Sequence, residues 1–203
     1  MRLRLANAWH AFVNIALCLM YGMFAYAHYA GYMKSHQLSL LLFVFSESLL
    51  AIIFLFRNTD ARVSKNPFDW MVALAGTFTP LFFRPSDHAI DPTLGACLIL
   101  VGVSIQIAGV LSLNRSFGIV PANRGIKTGG MYRLVRHPIY FSYLFTFAGY
   151  QLSNFSPYNL MLCAIAISFL VARIVSEERH LRLDRTYHQY MQRVRWRLLP
   201  YVF

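Results

Sequence analysis

The chain has 203 residues, of which 57% are hydrophobic and 13% charged, and its formal net charge is +11. With a mean hydropathy of +0.46, this composition lies outside the range of ordinary soluble globular domains. Several apolar runs approach the roughly 20 residues that a helix needs to cross a bilayer. The sequence therefore predicts an integral membrane protein of about one domain.

Apolar runs predict about six transmembrane helices. The first four are Trp9–Tyr32, Leu38–Phe56, Phe68–Phe83, which contains Pro80, and Leu94–Leu113. We treat residues 1–113 as a scaffold of these four helices.

The remaining residues, 114–203, form a second region with a long polar connection. The chain is apolar from Ile139 to Leu152, breaks at residues 153–157 and is apolar again from Tyr158 to Val175. This pattern predicts a helical hairpin. From Leu181 onward, apolar residues at steps of three and four predict that the last helix continues as an amphipathic cytoplasmic helix. The predicted fold class is all-α and membrane-integral.

Positive charge is distributed unevenly along the predicted topology. With six crossings, all of the lysines and arginines except Lys34 and Arg84 fall on one side. The positive-inside rule then predicts cytoplasmic N- and C-termini, and the excess charge suits anionic lipid headgroups. No base-reading motif is present, so we expect no nucleic-acid partner. Without a CxxC spacing, we expect neither a metal site nor a redox pair.

Glu47 is a carboxylate within the second apolar run, flanked by Ser46 and Ser48. An ionisable residue inside a span is a candidate functional residue. An interhelical hydrogen bond is the alternative. The sequence leaves both open, and we retain Glu47 as a candidate substrate contact.

The connection between the fourth and fifth predicted helices is unusually long. Residues 114–137 hold four glycines and several basic residues, with aromatic and aliphatic residues between them. Long connections of this kind are functional or disordered, and the apolar residues favour order. Glycines allow close backbone approach, and successive N–H groups can point at one anion. Pro138 then begins a helix whose N-terminus can receive a negative group.

The last predicted helix carries a second polar cluster where it leaves the membrane. Helical spacing places Arg173, Glu177 and Leu181 on one face, with Glu178 beside them. The glutamates could pair with neighbouring arginines or bind a ligand. Glycines, anion donors and a carboxylate together suit a zwitterionic nucleoside such as S-adenosylmethionine. No strand pattern precedes Gly129-Gly130, so a dinucleotide fold is not indicated.

Two blocks of these residues resemble the signature of the isoprenylcysteine carboxyl methyltransferase family, which is also similar to the phospholipid N-methyltransferases. The first block is TGGMY at residues 128–132 followed by VRHPIY at residues 135–140. The second contains Arg173-x-x-x-Glu177-Glu178-x-x-Leu181, then Tyr187-x-x-Tyr190 and RLLP at residues 197–200. The resemblance covers residues 114–200 and does not extend to the first four helices.

The resemblance implies an S-adenosylmethionine-dependent methyltransferase without a metal. The implied cofactor contacts are Arg124, Gly125, Ile126, Lys127, Tyr132, His137, Pro138, Ile139, Tyr140 and Glu177. Arg173 would face a lipophilic or lipidated acceptor and act in catalysis, and Arg197 is a second candidate for substrate binding. A carboxylate acceptor is already ionised and needs no base, whereas an amine would need one, for which Glu178 or His180 is a candidate.

Two departures from the family pattern bear on these expectations. Ser142 stands where the family often has glycine, which weakens the argument for close approach to the cofactor, and Met131 stands where proline is frequent. Two alternative functions stay open. One is an NADPH-dependent membrane reductase with a related C-terminal core, and the other is a non-catalytic lipid-binding protein.

Overall fold

The computed structural model describes residues 2–36, 38–57, 62–84, 86, 88, 90–199 and 202. Seven α-helices and two short β-strands lie within this part of the chain. Three helical segments are long and apolar enough to cross a membrane, namely Ala11–Lys34, Pro92–Ser116 and Pro157–Leu181, and Leu40–Phe56 is a shorter apolar helix. The architecture is that of a helical membrane protein.

The first two helices form an antiparallel hairpin. Helix α1 spans Arg2–Ser35 and extends beyond the predicted run at both ends, while α2 spans Leu38–Phe56, as predicted. Tyr21 stacks on Phe54 with ring centroids 5.3 Å apart. At the end of this hairpin, the Arg57 guanidinium donates to the Asn14 side chain over 2.6 Å.

Helix α3 is shorter than predicted. It spans Pro67–Phe78 and continues as a 3-10 turn, Thr79–Phe82. The Asn66 side chain caps its N-terminus by accepting from the backbone N–H of Phe68. Pro80 has no N–H to donate to the helix, so the α-helical hydrogen bonding cannot continue through it.

Helices α4, Pro92–Leu113, and α5, Pro138–Ser153, pack closely along each other. Gly95, Gly102 and Gly109 recur every seven residues on the face of α4 that meets α5. A Cβ on Gly102 would lie 2.9 Å from the Ser142 carbonyl oxygen. Small residues at such positions let two membrane helices approach. The short turn predicted between α5 and α6 is present. However, α5 packs mainly along α4 and has few contacts with α6.

Helix α6 spans Pro157–Leu181 and is followed by a separate helix α7, Arg185–Arg193. The prediction of one continuous helix leaving the membrane is therefore wrong. Asp184 accepts a hydrogen bond from the Thr186 backbone N–H and so caps a new helix. Such a side-chain cap favours a restart over continuation.

Connections gather at the two ends of the bundle. At one end, strand β1, Arg62–Val63, pairs antiparallel with strand β2, Ala122–Asn123. This pairing joins the α2–α3 connection to the α4–α5 connection. At the other end, the buried Asn159 side chain donates to the Arg84 and Asn154 carbonyl oxygens. The long connection predicted to carry function therefore lies at the same end as the α2–α3 connection.

Candidate active site

The α4–α5 connection folds into an ordered wall beside the end of the bundle. Gly125 and Gly130 have positive φ angles of 93° and 58°, which a side chain would disfavour. The Met131 backbone N–H donates to the Ser112 hydroxyl over 3.2 Å. Phe117 and Ile119 are buried in the cluster formed with α1, α2 and α4. The connection is therefore part of the folded structure, as its apolar residues predicted.

A pocket lies between this connection and the C-terminal helices. The empty space within and around it amounts to about 620 Å³, which includes the open solvent at its mouth. Its lining combines residues of the connection with residues of α6 and α7: Leu113, Ser116, Gly118, Ile119, Val120, Pro121, Ala122, Arg124, Gly125, Ile126, Lys127, Tyr132, Arg136, His137, Glu177, Leu181, Tyr187 and Tyr190. The pocket thus joins the two sequence blocks that carried the family resemblance.

Glu177 presents a carboxylate to this pocket. The Tyr140 hydroxyl donates to Glu177 Oε2 over 2.9 Å, and the Tyr140 ring stacks on His137 with centroids 5.5 Å apart. One carboxylate oxygen is therefore held by the first turn of α5. These contacts bring the 132–140 segment against the 173–178 segment of α6.

Glu178, the next residue, has a different environment. Its side chain is 2% exposed, and its Oε1 lies 2.9 Å from an Arg136 nitrogen and 3.3 Å from His137 Nε2. Its Oε2 accepts from Arg197 over 2.9 Å and from Arg182 over 3.2 Å. Both oxygens are thus engaged by basic side chains. This geometry favours a structural role for Glu178 over proton abstraction.

The segment after α7 is bound along the first turn of α5. The backbone N–H groups of Arg136 and His137 donate to the carbonyl oxygens of Trp196 and Arg197, each over 2.9 Å. Arg136 also donates from its guanidinium to the Arg195 carbonyl oxygen over 3.1 Å. Together with the Arg197–Glu178 pair, these bonds hold the C-terminal segment beside the pocket.

Arg173 is buried below the pocket, towards the membrane-embedded part of the bundle. Its guanidinium donates to the Thr77 hydroxyl over 3.3 Å and to the Ile119 carbonyl oxygen over 3.2 Å. The same group lies 5.1 Å from the centre of the Tyr140 ring, within cation–π range. Its side chain also packs against Gly76, where a Cβ would lie 2.9 Å from Arg173 Cδ.

Glu47 lies deeper in the bundle and has an unsatisfied oxygen. Its Oε2 is buried and has no hydrogen-bond partner among the described residues. Tyr21 and Tyr143 each interact electrostatically with both Glu47 and Arg173. These polar side chains, of which Tyr21 and Arg173 are buried and Tyr143 and Glu47 half-buried, therefore interact with one another inside the bundle. The interhelical hydrogen bond that the sequence left open for Glu47 is not formed with any described residue.

Arg124 places a cation in the pocket. Its guanidinium lies against Gly118, where a Cβ would collide with it, and its Nε is buried without a partner among the described residues. Burial, together with the charge of Arg57, lowers the pKa of Arg124 to about 10, while Glu177 opposes this shift. The group therefore remains protonated at neutral pH and can bind an anion.

The pocket brings together many of the residues predicted to bind a cofactor. Seven line it directly: Arg124, Gly125, Ile126, Lys127, Tyr132, His137 and Glu177. Tyr140 reaches it through Glu177, whereas Pro138 and Ile139 are buried beside α4 at Gly109. Arg173, Glu178, Arg197 and Glu47 are absent from the pocket lining described above.

Some features of the site were not predicted. Leu181, Tyr187 and Tyr190 line the pocket, although the sequence analysis used them only as a helical stripe and family signature. Their helical spacing on one face was the signal in the sequence that could have marked them as part of the site. Ser142 is fully buried in the α4–α5 contact, where its hydroxyl donates to the Ile139 carbonyl oxygen over 2.6 Å. It does not line the pocket, so it does not limit ligand approach there.

Fold and site together define a helical membrane protein with a polar pocket at one end of its bundle. Among the described residues, no group of three or more histidine, cysteine, aspartate or glutamate side chains is placed to hold a metal ion.

Comparison with known proteins narrows this class. Residues 90–189 match the family described as phospholipid methyltransferase. Protein-S-isoprenylcysteine O-methyltransferase A of Arabidopsis thaliana is 29% identical over 154 residues, which cover 70% of this chain and 78% of that protein. Protein-S-isoprenylcysteine O-methyltransferase B of the same plant is 28% identical over 116 residues, covering 53% and 59%. A probable protein-S-isoprenylcysteine O-methyltransferase of Oryza sativa subsp. indica is 30% identical over 122 residues, covering 56% and 64%.

These similarities to isoprenylcysteine O-methyltransferases and to the phospholipid methyltransferase family support the resemblance noted in the sequence, and they identify the chain as a methyltransferase. The match to the phospholipid methyltransferases includes every pocket-lining residue except Tyr190.

Proposed function

We propose that this protein transfers a methyl group from S-adenosylmethionine to a lipophilic acceptor at the cytoplasmic face of a membrane. The observation that carries the proposal is the pocket formed where the 132–140 segment meets α6, with Arg173 buried beside it. A polar ligand can enter this pocket from the end of the bundle. A lipophilic acceptor can approach laterally, between the helices.

The residues of the pocket fit S-adenosylmethionine. Arg124 offers an unpartnered Nε to a carboxylate, and Glu177 accepts hydrogen bonds from hydroxyl or ammonium groups. Tyr132, Leu181 and Tyr190 supply apolar and aromatic surface for a nucleobase. The Arg124 guanidinium lies against Gly118, and both residues line the pocket.

Binding and alignment are the main tasks of the surrounding residues. S-adenosylmethionine, when bound, would supply the methyl group of its sulfonium to an acceptor that attacks in line, with S-adenosylhomocysteine as the leaving group. Tyr140 fixes the orientation of Glu177 through its 2.9 Å hydrogen bond. Glu178 holds Arg136, His137 and the C-terminal segment in place. These contacts order the pocket wall and exclude water, and such alignment provides much of the rate in transfer reactions of this type.

We assign Arg173 to the acceptor. Its guanidinium lies between the Ile119 carbonyl of the pocket wall and Thr77 of α3, where its planar fork can orient a carboxylate or phosphate. Glu47 is a second contact for an acceptor headgroup, because its Oε2 is unsatisfied. Arg197 can serve the acceptor only by leaving Glu178, so we rank it below Arg173.

A carboxylate acceptor agrees best with this arrangement. Glu178, the first candidate for a base, already accepts from four basic side chains. A carboxylate is ionised at neutral pH and needs no base, unlike an ammonium group. The relatives are named as isoprenylcysteine O-methyltransferases, which also favours an isoprenylcysteine-like acid over a lipid amine.

Calorimetric titration of the purified protein tests this proposal against its alternatives. The proposal predicts binding of S-adenosylhomocysteine and no binding of NADPH. Binding of NADPH alone would favour the membrane reductase, for which Arg124 and Lys127 would hold the cofactor's phosphate. Binding of neither compound would favour a non-catalytic lipid-binding protein.

A further inference from the structure

Tyr187 has a buried hydroxyl for which the described residues offer no hydrogen bond. The residue is 3% exposed and lines the pocket, and its Oη has no partner among the described residues. Tyr190, one turn further along α7, also lines the pocket, but its hydroxyl donates to the Tyr132 carbonyl oxygen over 2.7 Å. The two tyrosines therefore differ in whether the protein itself satisfies the hydroxyl.

An unpaired buried hydroxyl is unfavourable for the folded protein. Phenylalanine would provide the same apolar surface without burying a polar atom that lacks a partner. Because Tyr187 lines the binding pocket, its unpaired hydroxyl points to a partner that arrives with the ligand. Burial and the neighbouring charges of Glu178 and Glu177 raise the pKa of Tyr187, so the phenol is neutral and can donate.

The surroundings of Tyr187 indicate which part of a nucleoside lies there. Tyr187 and Tyr190 pack with Ile126, Tyr132 and Leu181 in one apolar cluster, and all five line the pocket. The rings of Tyr187 and Tyr190 lie 5.8 Å apart and are tilted by 57°. This aromatic and aliphatic wall suits a flat heteroaromatic ring better than a charged amino-acid group or a diol. A purine ring nitrogen can accept a hydrogen bond within such a wall.

We propose that the Tyr187 hydroxyl donates a hydrogen bond to the purine base of the nucleoside ligand and so selects and positions that base. The assignment rests on the proposed function, because it takes the ligand to be an S-adenosyl compound. It adds a base-binding subsite formed by Ile126, Tyr132, Leu181, Tyr187 and Tyr190. Arg124 and Glu177 then remain for the amino-acid and ribose groups.

The test compares Tyr187→Phe with the wild-type protein by calorimetric titration. S-adenosylhomocysteine is one probe, and S-ribosylhomocysteine, which lacks the base, is the other, measured by competition if its binding is weak. Tyr187→Phe should weaken binding of S-adenosylhomocysteine by about 5- to 30-fold, since a buried acceptor on the ligand loses its donor. Its affinity for S-ribosylhomocysteine should equal that of the wild type.

Thermal unfolding of the ligand-free protein provides a second readout. Tyr187→Phe removes a hydroxyl that has no described partner, so its Tm should equal or exceed that of the wild type. Tyr190→Phe is the matched comparison, and its Tm should fall because the bond to the Tyr132 carbonyl is lost. A large fall in Tm for Tyr187→Phe would show that the hydroxyl is already satisfied within the fold and would overturn the inference.

The binding outcomes separate this inference from the proposed function. Equal affinity of the wild type and Tyr187→Phe for S-adenosylhomocysteine would overturn the role of Tyr187 and leave the proposed function standing. Equal weakening for both probes would place the hydroxyl on the sugar or amino-acid part and overturn the assignment to the base. A wild-type protein that binds neither probe would contradict the proposed function and, with it, the inference.

Discussion

Glu177 and Glu178 are consecutive glutamates on α6, and the structure predicts opposite consequences when each loses its charge. Glu178→Gln keeps the size of the side chain but removes the anion that Arg136, His137, Arg182 and Arg197 share. Arg182 and Arg197 are 46% and 31% exposed, so water screens their contribution. The loss of the buried Arg136 pair dominates the effect.

Breaking a buried ion pair from one side costs about 3–5 kcal/mol, because the other charge remains buried without a counterion. For a chain of this size, each kcal/mol shifts Tm by about 2–4 °C. At the lower end of this range, about 3 kcal/mol, Glu178→Gln should lower Tm by about 6–12 °C. Glu177→Gln should lower it by only a few degrees, since Glu177 is 32% exposed and Tyr140 can still donate to the amide oxygen.

Ligand affinity should show the reverse order. Glu177→Gln should weaken binding of S-adenosylhomocysteine by about 1–3 kcal/mol, the range for a charged hydrogen bond. Thermal unfolding and calorimetric titration of both variants, in the same detergent, measure the two effects. A stable Glu178→Gln protein would refute its structural role. Unchanged affinity of Glu177→Gln would show that the ligand does not contact this carboxylate.

Three further substitutions test separate parts of the structure. Arg173→Ala should reduce turnover by about 100-fold, which corresponds to ~3 kcal/mol of activation free energy. Its affinity for S-adenosylhomocysteine should stay near that of the wild type, and loss of that affinity would place Arg173 at the cofactor. Arg124→Gln should weaken S-adenosylhomocysteine binding by about 10-fold or more without lowering Tm, and equal binding would move the ligand's carboxylate elsewhere. Gly102→Val should lower Tm, because a Cβ there would lie 2.9 Å from the Ser142 carbonyl oxygen. Gly22→Val, in open surroundings on α1, should leave Tm unchanged. Equal Tm values for the two variants would contradict close packing of α4 and α5.

Most helices could be predicted because apolar runs with polar boundaries determine where a membrane helix lies. Helix α2 matches its run from Leu38 to Phe56. Helix α3 ends early because Pro80 interrupts its hydrogen bonding. The break between α6 and α7 was missed because the Asp184 cap restarts the helix after a short turn. The apolar stripe of the sequence continues across this break, so periodicity alone does not reveal it.

Helix pairing and the details of the site depend on contacts that no local pattern contains. The seven-residue spacing of Gly95, Gly102 and Gly109 was a readable signal for close packing of α4, although not for the identity of its partner. Seven of the residues that line the pocket were among those that the sequence resemblance implied as cofactor contacts. The different roles of Glu177 and Glu178 could not be predicted from the sequence, because they depend on how Arg136 and Arg197 fold back onto α6.

Photoaffinity labelling tests the central claim, the location of the methyl donor, most directly. The membrane-embedded protein would be irradiated with 8-azido-S-adenosylmethionine, digested and mapped, with an excess of S-adenosylhomocysteine as the control for specific labelling. The proposed site predicts competed labelling within residues 113–137 or 177–190, the segments that line the pocket. Competed labelling confined to α1, α2 or the connection at residues 84–91 would contradict it.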